Sequence, residues 1–198
     1  MRELQVTAAT LTPTVCCTFR PSDVPSLRLL IFGGEAGNQK AHDLWRGIPV
    51  LANCYGPAEA TIYCICNTDL SISSHKVTNI GIPTGCRAWV VHPNDHHRLV
   101  LVGCVGELVI EGPLVSRGYL NDIIKTEAAF IENLAWAEQS ELAARPRRFY
   151  KTGDLVHYYA DGTLQYLGRK DAQVKVHGHR IELGEVETYI KSLIPNIT

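Results

Sequence analysis

Two hairpin signatures follow one another between Val156 and Glu182 and restrict the local backbone more than any other stretch of this 198-residue chain. Val156-His-Tyr-Tyr159 and Leu164-Gln-Tyr-Leu167 are strand-like runs joined by Ala160-Asp-Gly-Thr163. Asp-Gly between such runs marks a tight turn, because glycine accepts the positive φ that the turn demands. Gln173-Val-Lys-Val176 and Arg180-Ile-Glu182 form a second pair around His177-Gly-His179. Alternation there puts Val174 and Val176 on one face and Lys175 on the other. A helix is expected over Leu183–Leu193, where Val186, Tyr189, Ile190 and Leu193 recur at i, i+3, i+4 and i+7 before Pro195 stops it.

Two positions in this stretch have a chemical reading. Asp154 follows Thr-Gly at the start of the first hairpin, where a carboxylate can face a cleft and accept bonds from vicinal hydroxyls. Arg169 and Asp171 sit in the polar break between the hairpins, where a chain could swivel. From spacing alone, a turn aspartate and a solvated charge run account for them as well.

Upstream, residues 1–75 read as α/β. Val6–Leu11, Leu27–Phe32 and Val50–Ala52 are candidate buried strands, and Asn38–Arg46 is a short helix with Leu44 and Trp45 apolar. Continuous apolar strands alternating with helices imply a parallel sheet, which binds ligands beyond the carboxyl ends of its strands. The turn Gly33-Gly-Glu-Ala-Gly37 and the loop Asn53-Cys-Tyr-Gly-Pro-Ala-Glu59 both fall at such ends. A generic turn would need neither the aromatic Tyr55 nor the acidic Glu59, so the coincidence argues for a nucleotide cleft. Residues 76–168 change to short strands: Asn79–Pro83, Ala88–Val91, Leu99–Val102 and Gly106–Ile110, a pattern expected of a small antiparallel barrel. A helix is expected over Asn121–Leu134, capped by Asn121 or Asp122, then a polar loop over 135–147.

The composition, 45% hydrophobic and 20% charged with formal net charge −1, is that of an ordinary globular protein. It offers no electrostatic footprint for nucleic acid or for an anionic membrane, so neither is expected as a partner. Arg145-Pro-Arg-Arg148 is the densest basic run and reads as a solvated loop. The seven cysteines include no Cys-x-x-Cys, which points to buried free thiols in a reducing compartment. His92 and His96 have a spacing seen in metal sites, but Pro93-Asn-Asp95 between them argues for a loop. Residues 1–10 lack the apolar core of a signal peptide and no apolar run approaches about 18 residues, so a cytoplasmic protein is expected. The sequon Asn196-Ile-Thr198 is discounted on the same ground.

Tyr150-Lys-Thr-Gly-Asp-Leu155 and Gly168-Arg-Lys-Asp-Ala-Gln-Val-Lys-Val-His-Gly-His-Arg-Ile-Glu-Leu-Gly-Glu-Val-Glu187 resemble consecutive core motifs of the adenylation domains of nonribosomal peptide synthetases, members of the adenylate-forming superfamily. Gly106–Leu120 resembles a further, largely structural motif, and Asn53–Glu59 resembles the one whose Tyr stacks on adenine and whose Glu holds magnesium. The resemblance implies the C-terminal part of the large lobe, an α/β unit plus a β-barrel, followed by the start of the small α+β lobe from 169 to 198. It implies ATP and Mg²⁺ as cofactors, an amino acid or other carboxylic acid as substrate, and a separate carrier domain bearing phosphopantetheine as partner. Tyr55 would stack on adenine and Glu59 would hold Mg²⁺, while Gly34, Glu35, Ala36, Asn53 and Gly56 would line the adenine and ribose end. Asp154 would hold the ribose, assisted by Arg169. Asp171 would be the hinge, and Lys175 would swing in as the catalytic lysine of thioester formation. Ala58 stands where the most familiar form of the motif has Thr, which removes one hydroxyl contact to phosphate.

By the same resemblance, Thr10, Ile31, Gly33, Cys54, Ile62 and Tyr63 fall on or near the side-chain pocket. None is charged, which implies a neutral amino acid of small to medium size, with Tyr63 limiting depth. The chain would be a fragment of an amino-acid-adenylating domain, without the glycine-rich phosphate loop and the lysine of the distal C-terminal lobe, and inactive by itself. An acyl-CoA or aryl-acid ligase fragment and a non-catalytic nucleotide- or partner-binding remnant are the alternatives.

Overall fold

The computed structural model describes residues 1–68, 70, 76–138, 147–171, 173–176 and 179–193. Three parallel strands open the fold: β1 (Ala8–Leu11), β2 (Leu29–Phe32) and β3 (Val50–Tyr55), in the order β1-β2-β3. Helix α1 (Pro13–Cys16) follows β1. Helix α2 (Gln39–Trp45) crosses between β2 and β3, and its Asn38 cap accepts from the Lys40 and Ala41 amides. Trp45 is fully buried with Leu30, Phe32 and Leu51, and its indole N–H donates to the Cys16 carbonyl at 2.8 Å. That apolar face of α2 against the sheet is the first core.

Antiparallel strands β4 (Ile65–Asn67) and β5 (Asn79–Pro83) carry the ladder on from β3. β5 then pairs with β11 (Leu164–Arg169), which pairs with β10 (Phe149–Tyr158). Beyond these lie β8 (Gly106–Glu111), β6 (Arg87–His92) and β7 (Asp95–Leu99). These ten strands form one continuous order, and every pairing from β3 onward is antiparallel. β8 is buried at all six positions, with Leu108 and Ile110 packed against Ile80, Val156 and Leu164.

Several expected boundaries move, each for a tertiary reason. β3 runs three residues past Ala52, because antiparallel β4 pairs with Asn53, Cys54 and Tyr55 and holds the supposed loop extended. β7 starts at Asp95 and ends at Leu99, so the apolar run Leu99–Val102 lies mostly beyond it, with Leu101 and Val102 exposed. Helix α3 (Ile123–Ala129), capped by Asp122, stops five residues early. There Phe130–Ile131 becomes a short strand, β9, pairing with β10, and Phe130 packs against Tyr150. The supposed polar loop begins with helix α4 (Ala135–Glu138), whose Trp136 lies 4.7 Å from Trp89 between ring centroids. Residues 139–146 of that loop lie outside the described part. Arg147, read as solvated, is largely buried against Glu111. All seven cysteines are free, but only Cys16, Cys54 and Cys64 are buried; Cys17, Cys66 and Cys86 are half-buried and Cys104 is exposed. Among the described residues no helix is long and apolar enough to cross a membrane.

The second hairpin, β12 (Gln173–Val176) with β13 (His179–Glu182), is a separate two-stranded sheet, and helix α5 (Leu183–Leu193) follows it. Val186, Tyr189, Ile190 and Leu193 of α5 are all exposed. Helices draw most of their stability from packing an apolar face, so this segment is expected to open first. Limited digestion with proteinase K should cut the 198-residue polypeptide between Arg169 and its C-terminus before any other place. Early cutting inside 99–110 would contradict this.

Candidate functional site

The site is organised by a bulge in β10. Lys151 pairs with Val109 and Leu155 with Glu107, so four steps along β10 span only two along β8. Extra residues in a ladder re-aim side chains, but their backbone groups need partners. Gly153 supplies the required φ of +71°. Its amide donates to Glu107 Oε1 at 3.1 Å. The Thr152 hydroxyl donates to the Leu108 carbonyl at 2.8 Å and accepts from the Asp154 amide at 3.0 Å. Asp154 is thereby turned into a cleft while remaining 7% exposed.

Tyr55 and Arg169 meet at the Asp154 carboxylate. The Tyr55 hydroxyl, at the end of β3, donates to Oδ2. Arg169, its register partner on β11, brings Nη1 to 3.2 Å from Oδ1. Arg169 is also clamped by Asp171, with Nε to Oδ1 at 2.9 Å and Nη2 to Oδ2 at 2.5 Å, and Nη1 donates to the Thr152 carbonyl. Burial works against the guanidinium charge, but Asp171 and Asp154 outweigh it and raise its pKa further. Burial, then the Asp154 carboxylate, push the Tyr55 hydroxyl well above its ordinary range, so it stays a donor. Tyr166 is pushed up to about 12 by the same two causes in the same order.

These groups line a cleft of about 780 Å³ together with Glu35, Ala36, Gly56 and Ala58. The turn after β2 thus faces Asp154 across the end of the sheet. A recess of about 40 Å³ adjoins it, lined by Gly34, Ala36, Asn53 and Tyr55 among others. Asn53 is buried and also donates to the Asn79 carbonyl at 3.0 Å. Glu59 lies elsewhere, in a neighbouring cavity of about 660 Å³ that shares Thr152, Arg169, Asp171 and Gln173 with the main cleft. The Tyr119 hydroxyl donates to its Oε1 at 2.7 Å.

Thr10 and Ile31 are register partners on β1 and β2, and Ile31 pairs with Ala52 on β3. Gly33 and Cys54 follow two residues beyond Ile31 and Ala52, so all four positions share the sheet face opposite Leu30, Phe32 and Leu51. Tyr63 lies directly over Gly33: a Cβ there would come within 2.4 Å of the Tyr63 hydroxyl oxygen. Ile62 differs from the set, being 65% exposed at a φ of +72°. Lys175 is on β12 opposite Arg180, and its side chain lies outside the described part.

Sequence reasoning passed over Tyr166, Thr152, Gln173 and Thr14 in the cleft and Tyr119 beside Glu59. Tyr166 alone had a usable signal. Counting back from the Asp161-Gly162 turn pairs Tyr158 with Leu164 and Val156 with Tyr166, two residues from Asp154. Among the described residues no three His, Cys, Asp or Glu side chains converge as a metal cluster.

Comparison with known proteins adds four findings. The family described as AMP-binding enzyme matches residues 1–120. Nonribosomal peptide synthetase 4 of Gibberella zeae is 47% identical over 192 residues, covering 96% of this chain and 2% of that protein. The Vibrio cholerae adenylation domain AlmE, solved in complex with glycyl-adenosine-5'-phosphate, superposes with a TM-score of 0.81 at 29% identity, covering 100% of this chain and 38% of that one. A holo nonribosomal peptide synthetase protein containing adenylation and PCP domains, bound to a vinylsulfonamide inhibitor, gives a TM-score of 0.79 at 28% identity, covering 96% of this chain and 33% of that one. The chain therefore spans only a small part of its curated relative and about a third of each solved chain. The resemblance to adenylation domains is borne out.

Proposed function

The chain belongs to the AMP-binding enzyme family, and from that premise we propose that it is the nucleotide-side part of an amino-acid-adenylating domain of a cytoplasmic nonribosomal peptide synthetase. The carboxylate of the amino acid attacks the α-phosphorus of ATP, pyrophosphate leaves, and the aminoacyl-adenylate goes on to the phosphopantetheine thiol of a carrier domain. The observation that carries this reading is the convergence of Tyr55, Asp154 and Arg169 on one cleft with the Glu35–Ala36 turn. Asp154 accepts from the ribose hydroxyls, Arg169 holds that carboxylate in place, and Tyr55 offers its ring to adenine. Residues 1–75 and 76–168 form the two parts of the large lobe, and the chain turns at Asp171 into the small lobe that carries Lys175.

Glu59 fits a role toward Mg²⁺. Mg²⁺ keeps several waters and is held by one or two carboxylates plus substrate phosphates. A single carboxylate held at one oxygen by Tyr119, on a cavity joined to the nucleotide cleft, matches that donor set. When bound, the ion would offset the negative charge of the phosphates.

The face bearing Thr10, Ile31, Gly33 and Cys54, with Tyr63 over Gly33, supports a neutral side chain of small to medium size. Burying an unpaired charge there would cost several kcal/mol, and about 3 kcal/mol already separates rates by 10². In the complete domain containing this chain, ATP–pyrophosphate exchange should be driven by a neutral amino acid at least about 10²-fold better than by Asp, Glu, Lys or Arg. Preference for a charged amino acid would refute the pocket. Saturable AMP binding to the 198-residue chain by titration calorimetry tests the nucleotide reading itself. Absence of binding would favour a non-catalytic remnant.

A further inference from the structure

We infer that Glu107 is a positioning residue that ties the nucleotide-contacting Asp154 to the hinge at Asp171. The inference rests on the reading of Asp154 as the ribose acceptor. Glu107 is 2% exposed in a strand buried at every position, and a carboxylate in such a place is costly unless both oxygens are satisfied. Its two oxygens go to two different structures. Oε1 accepts the amide of Gly153, the residue at the crest of the bulge that aims Asp154. Oε2 takes the Lys170 ammonium at 2.5 Å, the residue immediately before Asp171.

Lys170 completes a closed circuit. Its backbone amide donates to the Gly153 carbonyl at 2.9 Å, while its ammonium also donates to the Pro93 carbonyl at 3.0 Å. Gly153 is therefore held at its N–H by Glu107 and at its C=O by Lys170, and these two are bonded to each other. Asp154 cannot shift without disturbing the residue on which the hinge turns, and rotation of Lys170 away from Glu107 would withdraw a counter-charge from a buried carboxylate. A fold that needed only a filled core would place an apolar side chain at position 107, since breaking a buried pair costs more than an apolar replacement would. Ligand at Asp154 and the orientation of the segment after Lys170 thereby become coupled.

The test uses the 198-residue protein as wild type, Lys170→Met, Lys170→Arg and Glu107→Gln. Two readouts are taken: amide hydrogen exchange of the segments 150–155 and 169–176, and the AMP dissociation constant. Lys170→Met should speed exchange in both segments and raise the AMP dissociation constant, each by about tenfold. Lys170→Arg, which keeps the charge pair, should return both toward wild type. Glu107→Gln keeps an acceptor for Gly153, so it should loosen 169–176 more than 150–155. Loosening confined to 169–176 in Lys170→Met, unchanged AMP affinity beside a loosened 150–155, or no rescue by Lys170→Arg would each overturn the inference. A wild type that binds no AMP would instead sink the nucleotide reading, and exchange in 150–155 would still decide the coupling.

Discussion

Replacing Asp154 by Ala is expected to raise the AMP dissociation constant of this chain by about 10²-fold, from loss of charged hydrogen bonds worth roughly 1.5–3 kcal/mol each. The carboxylate is 7% exposed and has Tyr55 on one oxygen and Arg169 on the other, so its geometry is set before any ligand arrives. A preset acceptor loses little entropy when hydroxyls bind to it. Asp154→Asn separates the charge from the shape, since one amide oxygen still accepts, and should lie between wild type and Asp154→Ala. Tyr55→Phe removes only the donor to Oδ2, a bond within the protein and not one to the ligand, and leaves the ring, so its effect should stay below about tenfold. Titration calorimetry with AMP ranks the three. An Asp154→Ala protein that binds AMP as tightly as wild type would show that the cleft is not the ribose site.

What the sequence disclosed about the fold was local chemistry. The Asp161-Gly162 turn and the 3.6-residue period of α5 are decided within a few residues, and each stands where expected. The misplacements come from partners distant in sequence. Phe130 and Ile131 continue a helical pattern, yet pairing with Phe149 and Tyr150 outweighs a helix preference worth only tenths of a kcal/mol per residue. Asn53–Tyr55 is polar enough for a loop, and only the arrival of β4 keeps it extended.

The site was legible where motif and turn coincide, as at Asp154 and Tyr55. It was opaque where function depends on register. Glu107 reads as one charge in a strand, and nothing nearby announces that a two-residue excess in β10 will put the Gly153 amide against it. Arg147 likewise sits in a basic run that charge density assigns to solvent. Only the fold shows that Arg148 lies over Phe130 while Arg147 turns inward.

That inward turn sets up the largest stability effect expected here: Glu111→Ala should lower unfolding free energy by about 3–5 kcal/mol, the usual cost of stripping one partner from a buried ion pair. Glu111 is 4% exposed. Arg147 grips it at both oxygens, Nε to Oε1 at 2.7 Å and Nη2 to Oε2 at 2.8 Å, and the Trp89 indole N–H adds a bond to Oε2 at 2.9 Å. The guanidinium carbon lies 5.8 Å from the Trp89 ring centroid and 5.2 Å from that of Phe149. Truncation at 111 takes both carboxylate oxygens away from a cation that lies among aromatic rings and also donates to the Ala137 carbonyl at 2.7 Å. Burial alone would raise the Glu111 pKa, but the hydrogen bonds from Arg147 and Trp89 outweigh it and hold the group below its ordinary 4.5. A carboxylate depressed in the folded state contributes stability that is present above 4.5 and is lost as pH falls through the lower folded value. Urea unfolding of wild type should therefore show a stability loss below that point, and Glu111→Gln should show a shallower one. At neutral pH, Glu111→Ala and Arg147→Met should both unfold at much lower urea, whereas Arg87→Ala, whose partner in the pair is the same carboxylate but whose own side chain is 52% exposed, should change little. A loss of under about 1 kcal/mol for Glu111→Ala would mean that the cluster relaxes to solvate Arg147, contrary to the packing of Trp89, Trp136 and Phe149 around it.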